Sequence, residues 1–207
     1  TIYLCDMGVN IKDEKAILTK LGIEDLNPMQ KEAHKAILSY SEVVLLSPTG
    51  TGKTLAFLLP IIAELNPALE EIQTLVLVPS RELAIQIEQV VREMGSGHKV
   101  NAVYGGRAGS IDKVELKHPP AILIGTPVRV ADHIRRETIN VHHVNTLVLD
   151  EFDKSLEIGF LVEMKQIVDA LPSIKKKVLT SATQYRKSKR LNSSHIKISY
   201  AVFGLKQ

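Results

Sequence analysis

From residue 43 onward, short runs of β-branched and aliphatic residues take turns with longer stretches in which apolar side chains recur every three or four positions. The runs predict strands over 43–46, 74–78, 100–103, 121–124, 146–149 and 177–180; the stretches between them predict helices over 55–65, 81–94, 129–135 and 161–171. Parallel strands need a long crossover, and a helix supplies it while covering one face of the sheet. The alternation therefore predicts an α/β fold over residues 43–184, a parallel β-sheet with helices on both faces. Residues 1–42 carry no strand pattern and read as a helical lead-in, with helices over 11–21 and 29–38 around Leu26, Asn27 and Pro28. In an open sheet of this kind ligands gather beyond the carboxyl ends of the strands, so the polar residues that follow each run are the place to look for chemistry.

The first such segment is Ser47-Pro-Thr-Gly-Thr-Gly-Lys53-Thr54, between an apolar run and the helical stretch from Leu55. Gly50 and Gly52 can take positive φ and let backbone close on a ligand, so that the loop of Ser47, Thr49, Gly50, Thr51 and Gly52 turns amide groups around an anion. A helix beginning near Lys53 adds unpaired amides and the positive end of its dipole. Lys53 supplies a point charge for terminal phosphates, and the Thr54 hydroxyl suits the magnesium that travels with them. The general phosphate-loop pattern has glycine where this chain has Ser47, and serine is small enough for a variant of the same loop.

The second segment is Val148-Leu149-Asp150-Glu151-Phe152-Asp153, an apolar strand ending in a carboxylate pair. Taken alone, such a pair also suits an acidic helix cap. With the phosphate loop upstream it has the form of a Walker B element, in which Asp150 shares with Thr54 the hold on Mg2+ and Glu151 orients the attacking water. Catalysis is thus assigned to Glu151, Lys53 and Asp150.

Composition narrows the class. A chain of 207 residues, 44% of them apolar, can bury one good core. The single cysteine, Cys5, rules out an internal disulfide and gives no support to zinc; the seven histidines show no ligand spacing, and His142 and His143 are expected to face solvent. A reducing, cytoplasmic setting is the expectation. No apolar run approaches a membrane span, and the opening Thr1-Ile-Tyr-Leu-Cys-Asp6 has neither the basic start nor the apolar core of a signal peptide. The absence of an initiating methionine points to a piece of a longer protein.

Net charge is +3, yet residues 185–207 hold six of the 26 Lys and Arg and no acid. Residues 1–184 therefore carry 20 basic against 23 acidic side chains, a net −3, and any surface for a polyanion must be a local patch. From Arg186 onward the tail resembles the translation of a sequencing-library adapter, which would make it non-native. The alternative is that the alternating residues from Ile196 form a real strand after a basic helix.

Taken together these segments resemble the DEAD-box RNA helicases, specifically their first RecA-like domain, over roughly residues 4–184. Leu26-Asn-Pro-Met-Gln30 is similar to the family's Q motif, which implies that Gln30 reads the edge of adenine and that the nucleotide is ATP. Pro79-Ser-Arg81-Glu-Leu-Ala84, Gly105-Gly106 and Thr126-Pro-Val-Arg129 are similar to the motifs that grip RNA backbone. Ser181-Ala-Thr183 matches the motif that, with Asp153, couples the nucleotide site to unwinding. Local physics agrees with this: Thr126 precedes a helix with Pro127 in its first turn, where amides suit an RNA phosphate and Arg129 adds charge, and Arg81 likewise opens a helix at a strand's end. Aromatic content of 4% and no tryptophan disfavour base stacking, so RNA would be held through its backbone, independently of sequence.

The resemblance also has departures. Phe152 stands where the family's name-giving motif has alanine, Val128 where glycine is usual, and the aromatic expected upstream of the Q motif falls at Leu4 or Cys5. Nothing matches the family's second RecA-like domain, which supplies arginine fingers, so this chain alone is expected to bind ATP far better than it hydrolyses it. Two other readings stay open: a DNA-directed motor of the same superfamily, and a non-hydrolysing ATP- or RNA-binding module. A GTP switch is disfavoured because there is no Asn-Lys-x-Asp guanine reader.

Overall fold

The structure, a computed structural model, describes residues 11–182 and 201–204. Its elements in chain order are α1 (Ile11–Lys20), α2 (Pro28–Ser39), β1 (Glu42–Leu46), α3 (Lys53–Ala63), β2 (Thr74–Leu77), α4 (Arg81–Met94), β3 (Val100–Val103), α5 (Gly109–Glu115), β4 (Ile122–Gly125), α6 (Pro127–Arg135), β5 (Thr146–Leu149), α7 (Phe152–Ile158), α8 (Leu161–Asp169), β6 (Lys176–Ser181) and β7 (Ala201–Gly204). All seven strands are parallel, in the order β3-β4-β2-β5-β6-β1-β7. The six predicted strands are present with ends shifted by one residue at most, as is every predicted helix, with ends that move by up to two.

Strands buried on both faces read as nearly continuous apolar runs, and β2 and β5, apolar after Thr74 and Thr146, are buried throughout. Their side chains alternate between two cores. Val76 and Val78 join Phe57, Leu58, Ile87 and Met94 on the face of α1–α4; Leu75, Leu77 and Leu149 join Val130, Met164 and Ile167 on the face of α6–α8. The lead-in is part of the first core, through Ile17, Leu18, Ala33 and Ile37. α3 is the most enclosed helix, with nine of its eleven residues buried, which is why its pattern is nearly continuously apolar.

Three elements lie outside the sequence expectation. α5 and α7, at seven residues each, are too short to show a helical period. β7 pairs with β1 along its whole length, Val43 opposite Ala201 and Leu46 opposite Gly204. It falls in the tail read as adapter-like, two residues of it within the stretch read alternatively as a strand.

Candidate nucleotide site and adjoining polar face

The phosphate loop begins where β1 runs out of partners. The Ser47 amide donates to the Ser181 carbonyl at 3.1 Å, one step past the last β1–β6 pair, and the chain then leaves the sheet. Gly50 and Gly52 both take left-handed φ, +82° and +83°. At Gly52 a side chain would also collide, since a Cβ there would stand 2.4 Å from the Gln30 Nε2. The Thr51 hydroxyl donates to the Pro48 carbonyl at 2.8 Å and lies 2.7 Å from the Ser47 Oγ, which stiffens the loop from within; Ser47, at the departure from the glycine pattern, is buried. Gly52 has no side chain with which to cap α3, so the first-turn amides, those of Lys53 and Thr54 among them, remain available to an anion. The Lys53 ammonium folds back over the loop and donates to the carbonyls of Ser47, at 2.6 Å, and Pro48, at 3.3 Å. Burial holds its pKa below the ordinary lysine value, while the carboxylates of Asp150, Glu151 and Asp153 pull the other way.

The acid pair follows β5. The Asp150 amide is tied to the Leu77 carbonyl at 2.9 Å and the side chain is buried. Its pKa is pushed above the ordinary aspartate value by desolvation, against which the Thr180 hydroxyl and Lys53 both act. The Thr180 hydroxyl donates to the Asp150 Oδ1, and the Glu151 amide donates to the Thr180 Oγ1 and to the Asp150 Oδ1, each at 3.1 Å. Glu151 itself is left-handed, at φ +48°, one of two non-glycine residues so placed among the described residues. Its carboxylate accepts from the Lys154 ammonium at 2.8 Å, and that bond raises the lysine's pKa. Phe152 is buried in the core of the α6–α8 face and Asp153 is buried beside it, so the bulk at the alanine position points into packing.

Gln30 joins the lead-in to the loop. Asn27 caps α2 by accepting from the Gln30 amide, and the Gln30 side chain accepts from the Asn27 amide, both at 2.9 Å, a reciprocal capping box. The other ends of the two side-chain amides then reach across the loop: the Gln30 Nε2 donates to the Gly52 carbonyl and the Asn27 Nδ2 to the Thr51 carbonyl, each at 3.2 Å.

The residues assigned to RNA line the same edge of the sheet, beyond β2, β3 and β4. Pro79 and Ser80 turn the chain into α4, where the Ser80 hydroxyl caps the Leu83 amide at 3.2 Å. Arg81 extends outward with its side chain 55% exposed, near Gly106, which is left-handed at φ +83° and follows Gly105. Thr126 leads into α6 with no side-chain cap, and Val128 is exposed. Arg129 is directed inward. Its guanidinium donates twice to the Asp112 Oδ2, at 2.7 and 3.0 Å, and the same carboxylate, fully buried, meets the His133 Nε2 at 3.0 Å and the Arg107 Nε at 3.6 Å. The structure thus ties the Arg129 charge to a buried partner, where the sequence argument has it facing RNA. Ser181 is buried at the end of β6, while Thr183 lies outside the described residues. His142 and His143 are exposed, and no metal-holding group of three or more His, Cys, Asp or Glu side chains forms among the described residues.

Thr180, Asp112 and Lys154 are absent from the sequence assignment. Thr180 reads as one more β-branched strand residue, and Asp112 lies in a stretch with no pattern of its own. Only Lys154, three residues past Glu151, has a signal in the sequence, the helical spacing for an ion pair.

The chain belongs to the DEAD/DEAH box helicase family, whose model matches residues 27–191. Its sheet and helices are those of a RecA-like domain, as in two solved relatives. One is a hypothetical ATP-dependent RNA helicase from Sulfolobus tokodaii, with TM-score 0.80 and 27% identity, covering 94% of this chain and 57% of that one. The other is a DEAD box protein from Methanococcus jannaschii, with TM-score 0.79 and 32% identity, covering 90% and 51%. Among curated relatives, the DEAD-box ATP-dependent RNA helicase CshA of Bacillus subtilis is 38% identical over 92% of this chain and 39% of its own length. The ATP-dependent RNA helicase DeaD of Escherichia coli strain K12 is 36% identical over 93% and 31%. The chain therefore spans well under half the length of the curated relatives it matches. Among the described residues no helix is long and apolar enough to cross a membrane.

Proposed function

We propose that this chain is the ATP-binding part of an ATP-dependent RNA helicase. The observation that carries the reading is the meeting of an uncapped, glycine-turned loop and a buried lysine with a buried aspartate and a held glutamate, the arrangement that a nucleotide triphosphate and its metal require. Ser47, Thr49, Gly50, Thr51, Gly52 and Lys53 would cradle the phosphates, and Gln30 would read adenine from its place against Gly52. Thr54 and Asp150 would hold Mg2+, which when bound offsets charge on the phosphate oxygens. These residues fit the group: the first-turn amides of α3 have no side-chain cap, and Asp150 is a buried carboxylate whose Oδ2 receives neither the Thr180 nor the Glu151 hydrogen bond. Glu151 would orient water. RNA would lie along Pro79, Arg81, Gly105, Gly106 and Thr126 through its backbone, with Arg129 bracing that surface by way of Asp112. Asp153, Ser181 and Thr183 would couple the two sites. We place this activity in the cytoplasm on the strength of the lone Cys5. The names of the relatives support RNA as the polymer.

The test joins this chain to a second RecA-like domain and measures ATP hydrolysis with and without single-stranded RNA. RNAs of unrelated sequence should stimulate equally and DNA should not. Stimulation by DNA would support a DNA-directed motor, and ATP binding without any stimulation a binding module. The chain by itself should turn over slowly, because an absent arginine finger lowers phosphoryl-transfer rates by about 10³–10⁵.

A further inference from the structure

Thr180 is fully buried one residue before the end of β6, the strand that pairs with β5, and it lies against the acids that follow β5. Its hydroxyl has one proton and accepts through lone pairs, and both capacities are used at the acid pair: the proton goes to the Asp150 Oδ1, and the oxygen accepts the Glu151 amide at 3.1 Å. The same amide also reaches the Asp150 Oδ1 at 3.1 Å. Three atoms, the Thr180 Oγ1, the Asp150 Oδ1 and the Glu151 nitrogen, therefore hold one another. Both bonds to the carboxylate fall on Oδ1, and Oδ2 receives neither. Glu151 meanwhile stands at φ +48°, ψ +48°, a conformation that a non-glycine residue keeps only where its surroundings impose it. Thr180 is what the Glu151 amide meets there, and the next residue of β6, Ser181, receives the Ser47 amide of the phosphate loop.

We propose that Thr180 is a positioning residue of the nucleotide site: its hydroxyl turns the Asp150 carboxylate so that one oxygen stays open to a divalent cation, and it pins the left-handed turn from which Glu151 projects. This rests on the nucleotide reading above and deepens it. Because Thr180 shares β6 with Ser181, movement of that strand end reaches the acids and the loop together.

Affinity for ATP is measured on the purified chain in Mg2+ and in EDTA, for the native sequence, Thr180→Val and Thr180→Ser. Valine keeps the shape and removes the hydroxyl. Outer-shell partners of metal ligands typically contribute 10- to 100-fold in metal affinity, so Thr180→Val should weaken binding in Mg2+ by roughly that factor and leave binding in EDTA unchanged, while Thr180→Ser keeps both. Native affinity of Thr180→Val in Mg2+, equal weakening in both media, or a serine variant as weak as the valine one would each overturn the role. A native chain that binds ATP equally in Mg2+ and EDTA overturns the cation reading itself, and this role with it; a loss confined to the variant leaves that reading standing. If the valine chain does not fold, Thr180→Ala gives the same contrast. Exchange of the Glu151 amide proton is a second readout, slow in the native chain and faster without the hydroxyl.

Discussion

Lys53 and Asp150 are held in environments that disfavour their charges, and they face each other across the place where a charged ligand would lie. Asp150 is the clearer case. Desolvation raises its folded pKa above that of an exposed aspartate, so the folded chain holds this proton more tightly than the unfolded one, and stability falls as pH rises between the two values. At neutral pH the ionised carboxylate is a net cost, and Asp150→Asn should raise the midpoint of thermal unfolding by about 2–4 °C, a gain that fades below about pH 4, where an aspartate protonates in both states. A lower midpoint at pH 7 would contradict a net desolvation cost at this residue. Asp112 makes the opposite prediction. It is the shared partner of Arg129, Arg107 and His133, so Asp112→Asn strands cations on a partly buried face and should destabilise the chain by about 3 kcal/mol, read by urea denaturation. The phosphate-loop residues and the acid pair are legible in the sequence because their spacing carries the chemistry. Thr180 and Asp112 are not, because what they do depends on a strand or helix that the chain reaches 30 and 17 residues away.

At the scale of elements, α2 is built to do more than pack. Its capping box serves the helix with one end of each side chain and the phosphate loop with the other, so the start of α2 and the loop are one unit. Asn27→Ala should lower stability by about 1 kcal/mol, the usual worth of such a cap, and should also weaken ATP binding, although this side chain is assigned no contact with the nucleotide. An affinity measurement that finds stability reduced and ATP binding intact would show that the cap and the loop are independent. The strands are legible because buried parallel strands are nearly continuously apolar, and the flanking helices because they show their faces at a period of 3.6. α5 and α7 escape because fewer than two turns reveal no period, and the pairing of β7 with β1 follows from an edge that sequence pattern does not display.

The whole molecule collects its functional segments on one edge. Seven parallel strands deliver the phosphate loop, the acid pair, the end of β6 and the turns before α4 and α6 to the same side, and two apolar cores hold those strands in register. One consequence is that a change in the loop can abolish ligand binding without unfolding the domain, since neither core depends on it. The most direct test of the account is therefore titration of ATP with Mg2+ into the native chain and into Lys53→Ala and Glu151→Gln, with thermal unfolding as a check on folding. The native chain should take up one ATP, folded Lys53→Ala should show no measurable binding, and Glu151→Gln should bind as the native chain does, its loss of turnover being read in the chain joined to a second RecA-like domain. A folded Lys53→Ala chain that binds ATP as the native one does would contradict the account.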